Sequence, residues 1–382
     1  MLNRDKIAKD IASLSEKIFF QQQHHENISP DMWHDMVNHP LFEKRIELAR
    51  GSFSLARWQD SLTDIFPVIT TIPEYTVLAV DGSQVYPDRH ISGISCFLLN
   101  AGGCLLHYGT KSKATLFSEP QVCIPEDVSQ AFSVDLVDLK REALELEVAF
   151  QKSLQVTKED AKTPYVCLFD GSLIFWRLEA KPPEVRDLFL KTYLHLLNQF
   201  YEKKIICASY VSLPKSKELV HLVKIGTCGK ASTDTLGCDP KYQTFPCQDI
   251  DTLSDSHVLH QILAPGFRST ILFSNAKIVE YYPEHLKPCF FYLNVGKEIV
   301  RIEFPKWVLD QENALELISS VCFDQATKGY GYPVALAEAH EQAVIKSSDR
   351  DFFYHLLCKV GITQKHQVIL SQKSLKKRHA AV

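Results

Sequence analysis

Two short apolar segments, each followed by the tripeptide Asp-Gly-Ser, constrain the fold of this chain more than any other feature. The first segment covers residues 75–80 and is followed by Asp81, and the second covers residues 165–169 and is followed by Asp170. A short apolar run that a turn dipeptide closes is typical of a buried strand. If the two strands are neighbours in one sheet, both carboxylates converge at the same edge of that sheet.

Converging carboxylates repel each other, so a cation has to compensate for their charge. Mg²⁺ and Mn²⁺ prefer oxygen ligands, and two such ions about 3.5–4 Å apart can promote hydrolysis of a phosphodiester. Asp-Gly is by itself an ordinary turn dipeptide, so this hypothesis depends on the two strands being neighbours. On that condition, Asp81 and Asp170 are predicted ligands of a phosphodiester-hydrolysing metal site.

The predicted elements around these strands alternate in type. Residues 1–70 are predicted to be helical, with Ile7, Ile11, Leu14 and Ile18 on one apolar face and a second helical stretch at 30–60. Then we expect strands at 75–80, 91–100 and 103–110 with a tight turn at 101–103, a helix at 134–155, a strand at 165–169, a helix at 184–203 and a strand at 205–209. The order β-β-β-α-β-α-β is the one that the ribonuclease H-like fold uses. We therefore predict an α/β protein with a mixed sheet, flanking helices, and helical N-terminal and C-terminal extensions.

The second half of the sequence is less regular. Residues 226–256 are rich in Gly, Asp, Thr, Cys and Pro, which predicts a loop or an insertion. A hairpin is expected at 290–295 and 299–304, and the last predicted elements are helices at 312–326, 333–346 and 349–359.

A third acidic ligand is expected on the helix at 134–155. Glu142, Glu145 and Glu147 are the candidates, and a helical wheel does not choose among them. Further along, Pro333 suits the first turn of a helix, with Tyr332 before it and His340 about two turns in. The pKa of a free histidine lies near neutrality, so His340 is a candidate metal ligand or proton shuttle. A histidine on an arbitrary helix usually has no such role.

Taken together, six segments resemble the NurA family of nucleases, which act 5′ to 3′ on DNA. They are VLAVDGSQ, REALELE, YVCLFDGSL, ASYVSLPKSKELV, GYPVALAEAHEQAVI and DRDFFYHLL, in the family's order across about residues 75–360. The resemblance implies a ribonuclease H-like core, two Mn²⁺ or Mg²⁺ ions, a homodimer and the hexameric ATPase HerA as partner. The domains we then expect are a helical extension at 1–70, a NurA-like nuclease domain at 71–360 with the insertion at 226–256, and a basic tail at 361–382.

The resemblance also assigns roles to residues. It implies that Asp81 and Asp170 bind metal, and it favours Glu145 over Glu142 as the ligand from the helix. His340 would be a further metal ligand or a proton donor, and Tyr332 would position phosphate or water. The function expected is hydrolysis of DNA, with 5′–3′ exonuclease and single-strand endonuclease activity in end processing and double-strand break repair.

The charge of the chain neither supports nor excludes DNA as a substrate. The net charge is −4, whereas a protein that only coats nucleic acid is usually basic. The positions predicted to contact the DNA backbone are Lys215, Lys217, Lys373, Lys376 and Lys377. The N-terminus lacks the apolar region of a secretory signal and no apolar run reaches the length of about 20 residues of a membrane helix, so a cytoplasmic protein is expected.

Other classes of protein share parts of this sequence pattern. A phosphatase of the haloacid-dehalogenase type needs a second aspartate two residues before each Asp-Gly pair, and Ala79 and Leu168 occupy those positions. A catalytically silent NurA-like scaffold that binds a HerA-type ATPase or DNA is the main alternative. A nuclease that acts on RNA is another, because a fold does not fix the substrate.

Overall fold

A computed structural model describes most of the chain. The described residues are 2–19, 29–49, 54–69, 72–87, 91–92, 96–124, 134–227, 250, 253–364 and 369–370. The predicted DNA contacts at Lys373, Lys376 and Lys377 lie outside them, as does most of the predicted insertion at 226–256. The chain forms two compact units, and their segments are Met1–Val68, Val211–Tyr281 and Lys287–Glu303 for the first, and Ile69–Tyr210, Tyr282–Leu286 and Phe304–Val382 for the second.

The described residues contain helices and strands with the following bounds. The α-helices are α1 Arg4–Phe19, α2 Pro30–Val37, α3 Phe42–Leu48, α4 Val134–Glu159, α5 Trp176–Glu179, α6 Pro183–Lys203, α7 Glu218–Thr227, α8 Asp255–Leu259, α9 Ala314–Lys328, α10 Val334–Ala343 and α11 Ser347–Thr363. The strands are β1 Ala56–Trp58, β2 Ile65–Pro67, β3 Tyr75–Val85, β4 Ile91–Ser92, β5 Phe97–Tyr108, β6 Lys113–Cys123, β7 Tyr165–Asp170, β8 Cys207–Val211, β9 Phe267–Ser269, β10 Leu272–Ser274, β11 Pro288–Asn294, β12 Ile299–Pro305 and β13 Ile369–Leu370. Short 3-10 helices span Lys277–Tyr281, Glu284–Leu286 and Lys306–Asp310. None of the described helices is long and apolar enough to cross a membrane.

The second unit is built on a mixed sheet with the strand order β6-β5-β3-β7-β8. The strands β3, β5 and β6 form an antiparallel meander, whereas β3, β7 and β8 run parallel to one another. This arrangement is that of the ribonuclease H-like fold, so the predicted fold class is confirmed. The helix α4 packs on β3, β5 and α6, and α10 packs on β3 and β5.

The predicted meander was wrong in its second and third strands. The structure has one strand, β5, running through the predicted turn at 101–103, and the third strand is β6. The glycines at the predicted turn serve close packing, because a Cβ on Gly102 would lie 2.1 Å from the Ala343 backbone nitrogen and one on Gly103 would lie 2.1 Å from the Phe117 ring. The chain turns instead after β5, where Gly109 has a φ of +144°.

The first unit has a smaller antiparallel sheet in the order β1-β10-β11-β12, with β9 pairing with both β11 and β2. The helices α2, α3 and α8 pack on α7 around a core that includes Trp33, Phe42 and Tyr292. The prediction of one helical stretch at 30–60 was wrong, because that stretch is divided into α2 and α3 and then gives way to the strand β1, and β2 also interrupts the predicted helical extension at 1–70. Pro40 separates α2 from α3, because proline lacks a backbone N–H and disfavours helix at the residue before it. Next, β1 pairs with a strand more than 200 residues away, a contact that no local pattern reveals.

Candidate active site

The two Asp-Gly-Ser aspartates lie side by side in the sheet of the second unit. Val80 of β3 and Phe169 of β7 are register partners in a parallel pair, and Asp81 and Asp170 follow them directly. Register partners on parallel strands direct their side chains to the same face. Only β7 ends at its aspartate; β3 continues to Val85, so the predicted strand end at Asp81 was wrong. The two carboxylates are nevertheless neighbours, which was the condition for the site.

The glycines after the two aspartates have different physical roles. A Cβ on Gly82 would lie 2.1 Å from Glu145 Oε1 and 2.8 Å from Arg141 Cγ, so the absence of a side chain lets α4 approach β3. Gly171 has a φ of +91° with open space around it, so it supplies backbone freedom where β7 ends.

The helix α4 presents an acidic face to this edge of the sheet. Asp138, Glu142 and Glu145 follow one another at spacings of four and three residues, which places them on one side of a helix. Glu145 and Glu142 line the cavity beside Asp81 and Asp170, whereas the exposed Glu147 lines a different cavity next to Glu119. The geometry therefore separates Glu147 from the other two candidates.

Two arginines form ion pairs with the acidic residues of α4, and neither was predicted from the sequence. Arg141 forms an ion pair with Glu145 and donates to the carbonyl oxygen of Gly82 at 3.2 Å. Arg177 donates to Glu142 at 2.5 Å and to Asp138 at 2.9 Å. An arginine four residues before a glutamate on a helix is a common surface pair, and for that reason it carried no signal in the sequence.

The acidic groups influence one another electrostatically. Burial raises the pKa of Glu145 to about 8; Arg141 lowers it, and the negative charges of Asp81, Glu142 and Asp170 raise it. The pKa of Asp170 is also raised by burial, lowered by a hydrogen bond from Tyr332 and raised by Asp81. These shifts reflect an excess of negative charge in a confined space, which favours either a bound proton or a bound cation.

His340 lies on α10 and reaches the first aspartate. Its Nδ1 is 2.8 Å from Asp81 Oδ2, and its side chain is 66% exposed. The carboxyl end of α10 is held in place because Asn100 Nδ2 and the Ser83 hydroxyl both donate to the carbonyl oxygen of Ala343. At the other end of α10, the Ala335 backbone nitrogen donates to Gln325 Oε1 at 3.0 Å. Both ends of the helix are therefore fixed by side chains.

Tyr332 lies in the turn that precedes α10. It hydrogen-bonds to Asp170, and its ring packs edge-on against Tyr210 with the centroids 5.7 Å apart. The turn requires glycine at two positions. A Cβ added to Gly329 would lie 1.9 Å from the Tyr332 carbonyl oxygen. Gly331 has a φ of +124°, which residues with a side chain rarely adopt.

The structure thus brings five predicted site residues to one region of the second unit. They are Asp81, Glu145, Asp170, Tyr332 and His340. A cavity of about 370 Å³ opens beside them and is lined in part by Asp81, Glu142, Glu145, Asp170, Trp176 and Arg177. Lys215 and Lys217 are exposed in the first unit, and their predicted contact with DNA stays a prediction.

The donor set fits a hard divalent cation, because it offers three carboxylates and one imidazole. Among the described residues, however, no three such side chains surround a common point closely enough to hold an ion. In this structure Arg141 forms an ion pair with Glu145, and His340 Nδ1 lies within hydrogen-bond distance of Asp81.

The chain is similar to several solved structures. A solved structure of NurA is 11% identical, with 76% of this chain and 90% of that one covered and a TM-score of 0.35. A structure of NurA with manganese is 11% identical, with 86% and 96% covered and a TM-score of 0.36. RuvC from Thermus thermophilus is 13% identical, with 49% and 89% covered and a TM-score of 0.18.

Among curated proteins no relative matches the sequence. The family comparison is decisive, because the NurA domain matches residues 75–345, which is well over half of the chain. The matched range contains all five residues of the candidate site. The chain therefore belongs to the NurA family of nucleases.

Proposed function

We propose that this protein is a metal-dependent deoxyribonuclease that hydrolyses the phosphodiester bonds of DNA. The proposal includes 5′–3′ exonuclease and single-strand endonuclease activity in the processing of DNA ends and the repair of double-strand breaks. The observation that carries it is the convergence of Asp81, Asp170 and Glu145 from two strands and a helix, with His340 against Asp81. Membership of the NurA family of nucleases supports hydrolysis of phosphodiester bonds. That the substrate is DNA and that cleavage runs 5′ to 3′ are proposed from the sequence resemblance.

The residues proposed to hold Mn²⁺ or Mg²⁺ are Asp81, Glu145 and Asp170, with His340 as a further ligand. Two bound ions would supply Lewis-acid activation of the phosphodiester and of the attacking water. Arg141 supplies the positive charge beside Glu145 in this structure, so it has to release that carboxylate when a cation takes its place.

The remaining roles follow from the hydrogen bonds. If Nδ1 of His340 donates to Asp81, Nε2 carries a lone pair and can accept a proton near the scissile phosphate. Tyr332 fixes the Asp170 carboxylate by its hydrogen bond, which prepares that group to act as a ligand. A homodimer and a HerA-type ATPase as partner stay predictions.

The test is cleavage of end-labelled single-stranded DNA, double-stranded DNA and RNA in Mn²⁺, Mg²⁺ or EDTA. The variants are Asp81→Asn, Asp170→Asn and Glu145→Gln, and the control is Glu147→Gln, which changes a glutamate on the same helix that lines a different cavity. We expect metal-dependent cleavage by the wild type and by the control. The three site variants should be folded and at least about 100-fold slower, because a ligand has lost its charge.

Each possible outcome of this experiment has a definite meaning. Cleavage that survives in the Asp81 and Asp170 variants would place the active site elsewhere. A wild type that is inert in every metal, and also with the ATPase added, would favour the silent scaffold. Degradation of RNA alone would change the substrate but keep the site, and the direction of the DNA ladder would test the 5′–3′ polarity.

A further inference from the structure

A tryptophan lines the cavity beside the candidate site and is neither a proposed metal ligand nor a proposed proton acceptor. Trp176 is 38% exposed and borders the cavity together with Asp81, Asp170 and Arg177. Within the part of the chain that the structure describes, no other aromatic ring stacks on its indole. Large exposed apolar side chains elsewhere in the second unit, such as Leu188 and Phe352, do not line this cavity. Trp176 therefore differs from these two side chains, because its partly exposed ring lies beside the candidate site.

The segment that carries Trp176 is firmly held. The ring of Phe175 lies 4.6 Å from that of Tyr193 and 6.1 Å from that of Tyr282. The Tyr282 hydroxyl accepts from the Phe175 backbone nitrogen at 3.2 Å and donates to the Leu173 carbonyl oxygen at 2.8 Å. On the other side of Trp176, Arg177 is fixed by its ion pairs with α4. The residues on both sides of Trp176 are thus anchored, so little ordering is needed when a ligand binds.

We propose that Trp176 is a stacking platform for the nucleobase next to the scissile phosphate. The inference rests on the proposed function, because it takes DNA as the substrate of the same site. Every base has an aromatic face, so stacking on an indole holds a strand without selecting its sequence. The surrounding carboxylates repel the phosphate backbone, which makes an uncharged contact to the base especially useful at this place.

Stacking on Trp176 restricts the form of the substrate. A base that stacks on Trp176 cannot stay paired and stacked inside a duplex. Unpairing a base costs free energy, and this cost is absent for bases that are already single-stranded. Single strands and frayed ends should therefore be preferred over blunt, G·C-rich ends.

The test measures binding separately from cleavage. The probe is a fluorescently labelled single-stranded oligonucleotide, and its affinity is measured by anisotropy in Ca²⁺ and again in EDTA. The variants are Trp176→Ala and Trp176→Phe, with Phe352→Ala as the control because Phe352 is an exposed aromatic residue outside the cavity. Each protein is also titrated with oligonucleotides in which a single base has been removed, at one position after another. Circular dichroism establishes that each variant is folded.

We expect Trp176→Ala to bind the intact strand about 5- to 150-fold more weakly, the loss that corresponds to one stacked base. Trp176→Phe should retain most of the affinity, and Phe352→Ala all of it. Removing one particular base should weaken binding by the wild type and leave Trp176→Ala nearly unchanged, because the two changes remove the same contact. In cleavage assays, KM should rise more than kcat falls.

Two results would overturn the inference while the proposed function stands. One is wild-type affinity in Trp176→Ala, and the other is an equal effect of base removal in that variant and the wild type at every position. A wild type that neither binds nor cuts DNA is a different failure, because it rejects the proposed function and this inference together.

Discussion

Replacing Gly82 by alanine tests the close approach of α4 to β3 that assembles the site. The new Cβ would lie 2.1 Å from Glu145 Oε1 and 2.8 Å from Arg141 Cγ. An ordinary contact is 3.4–4 Å, so Glu145 Oε1 has to retreat by at least about 1.3 Å. A misplacement of about 1 Å at a reacting centre can cost on the order of 100-fold in rate. We therefore expect Gly82→Ala to cleave DNA about 100-fold more slowly and to bind Mn²⁺ more weakly.

The stability of this variant should change less than its activity. Overpacking a well-packed site typically costs about 1–3 kcal/mol, and Glu145 and Arg141 are long side chains that can move aside. Gly103→Ala is the matched control, because the added Cβ would lie 2.1 Å from the Phe117 ring in the same sheet and would contact no carboxylate. The assays are urea unfolding, calorimetric titration with Mn²⁺ and cleavage of a labelled single strand.

A second substitution sharpens this test. Glu145→Asp shortens the displaced side chain by one methylene group, so Gly82→Ala with Glu145→Asp should lose less activity than the sum of the two single effects. Such non-additivity is expected only for residues in contact. If Gly82→Ala binds Mn²⁺ and cuts DNA as the wild type does, or loses no more activity than Gly103→Ala, then α4 does not approach β3 as described and the geometric argument fails.

Three further predictions concern the charges and the anchoring of the site. Arg141→Gln should raise the affinity for Mn²⁺ in calorimetric titration and lower the metal-free melting temperature, because the cation that holds Glu145 is removed; an unchanged affinity would contradict this. In EDTA, the free energy of unfolding should fall as the pH rises from about 4.5 to 8, by at most about 1.4 kcal/mol per pH unit. The reason is that Glu145 keeps its proton in the folded protein at pH values where the unfolded chain has lost it. Excess Mn²⁺ should reverse this slope. Asn100→Ala should cost about 1–3 kcal/mol in urea unfolding, because a buried hydrogen bond to Ala343 is lost, and cleavage should slow through His340; full activity would argue against that coupling.

The central strands of the fold could be predicted because burial leaves a clear pattern. The residues of β3 up to Val80 and those of β7 up to Phe169 are buried on both faces and form apolar runs that only Thr76 interrupts. The strand β6 has almost no buried residue and contains Pro120, so it had neither an apolar run nor an alternation by which to find it. Edge strands commonly have this composition, since charge and proline prevent further pairing. The strand β6 lies at the edge of the sheet, so its residues are exposed, and exposed residues leave no apolar pattern in the sequence.

The site was predictable in its carboxylates but not in the groups that hold them. Asp81 and Asp170 follow recognisable strands, His340 was a candidate because of its titratable ring on a predicted helix, and the resemblance supplied the role of Tyr332. Arg177 lies 35 residues from Glu142 in the chain, so its ion pairs depend on how two helices pack. Sequence patterns report neighbours within one helix or strand, and they contain no information on pairs of this kind without an alignment of relatives.

The recurrence of Asp-Gly-Ser shows how one tripeptide can satisfy two sets of constraints. After Asp81, the glycine makes room for α4 and the serine donates to the end of α10. After Asp170, the glycine adopts a positive φ, and the Ser172 hydroxyl accepts from the Ile174 backbone nitrogen at 3.0 Å within the turn. Gly82 is thus required by the space around it and Gly171 by its backbone angle. The shared consequence is that each aspartate is followed by a segment fixed in a single conformation. Both carboxylates are therefore brought together by the fold before any cation binds, so their repulsion opposes folding and favours the binding of a cation.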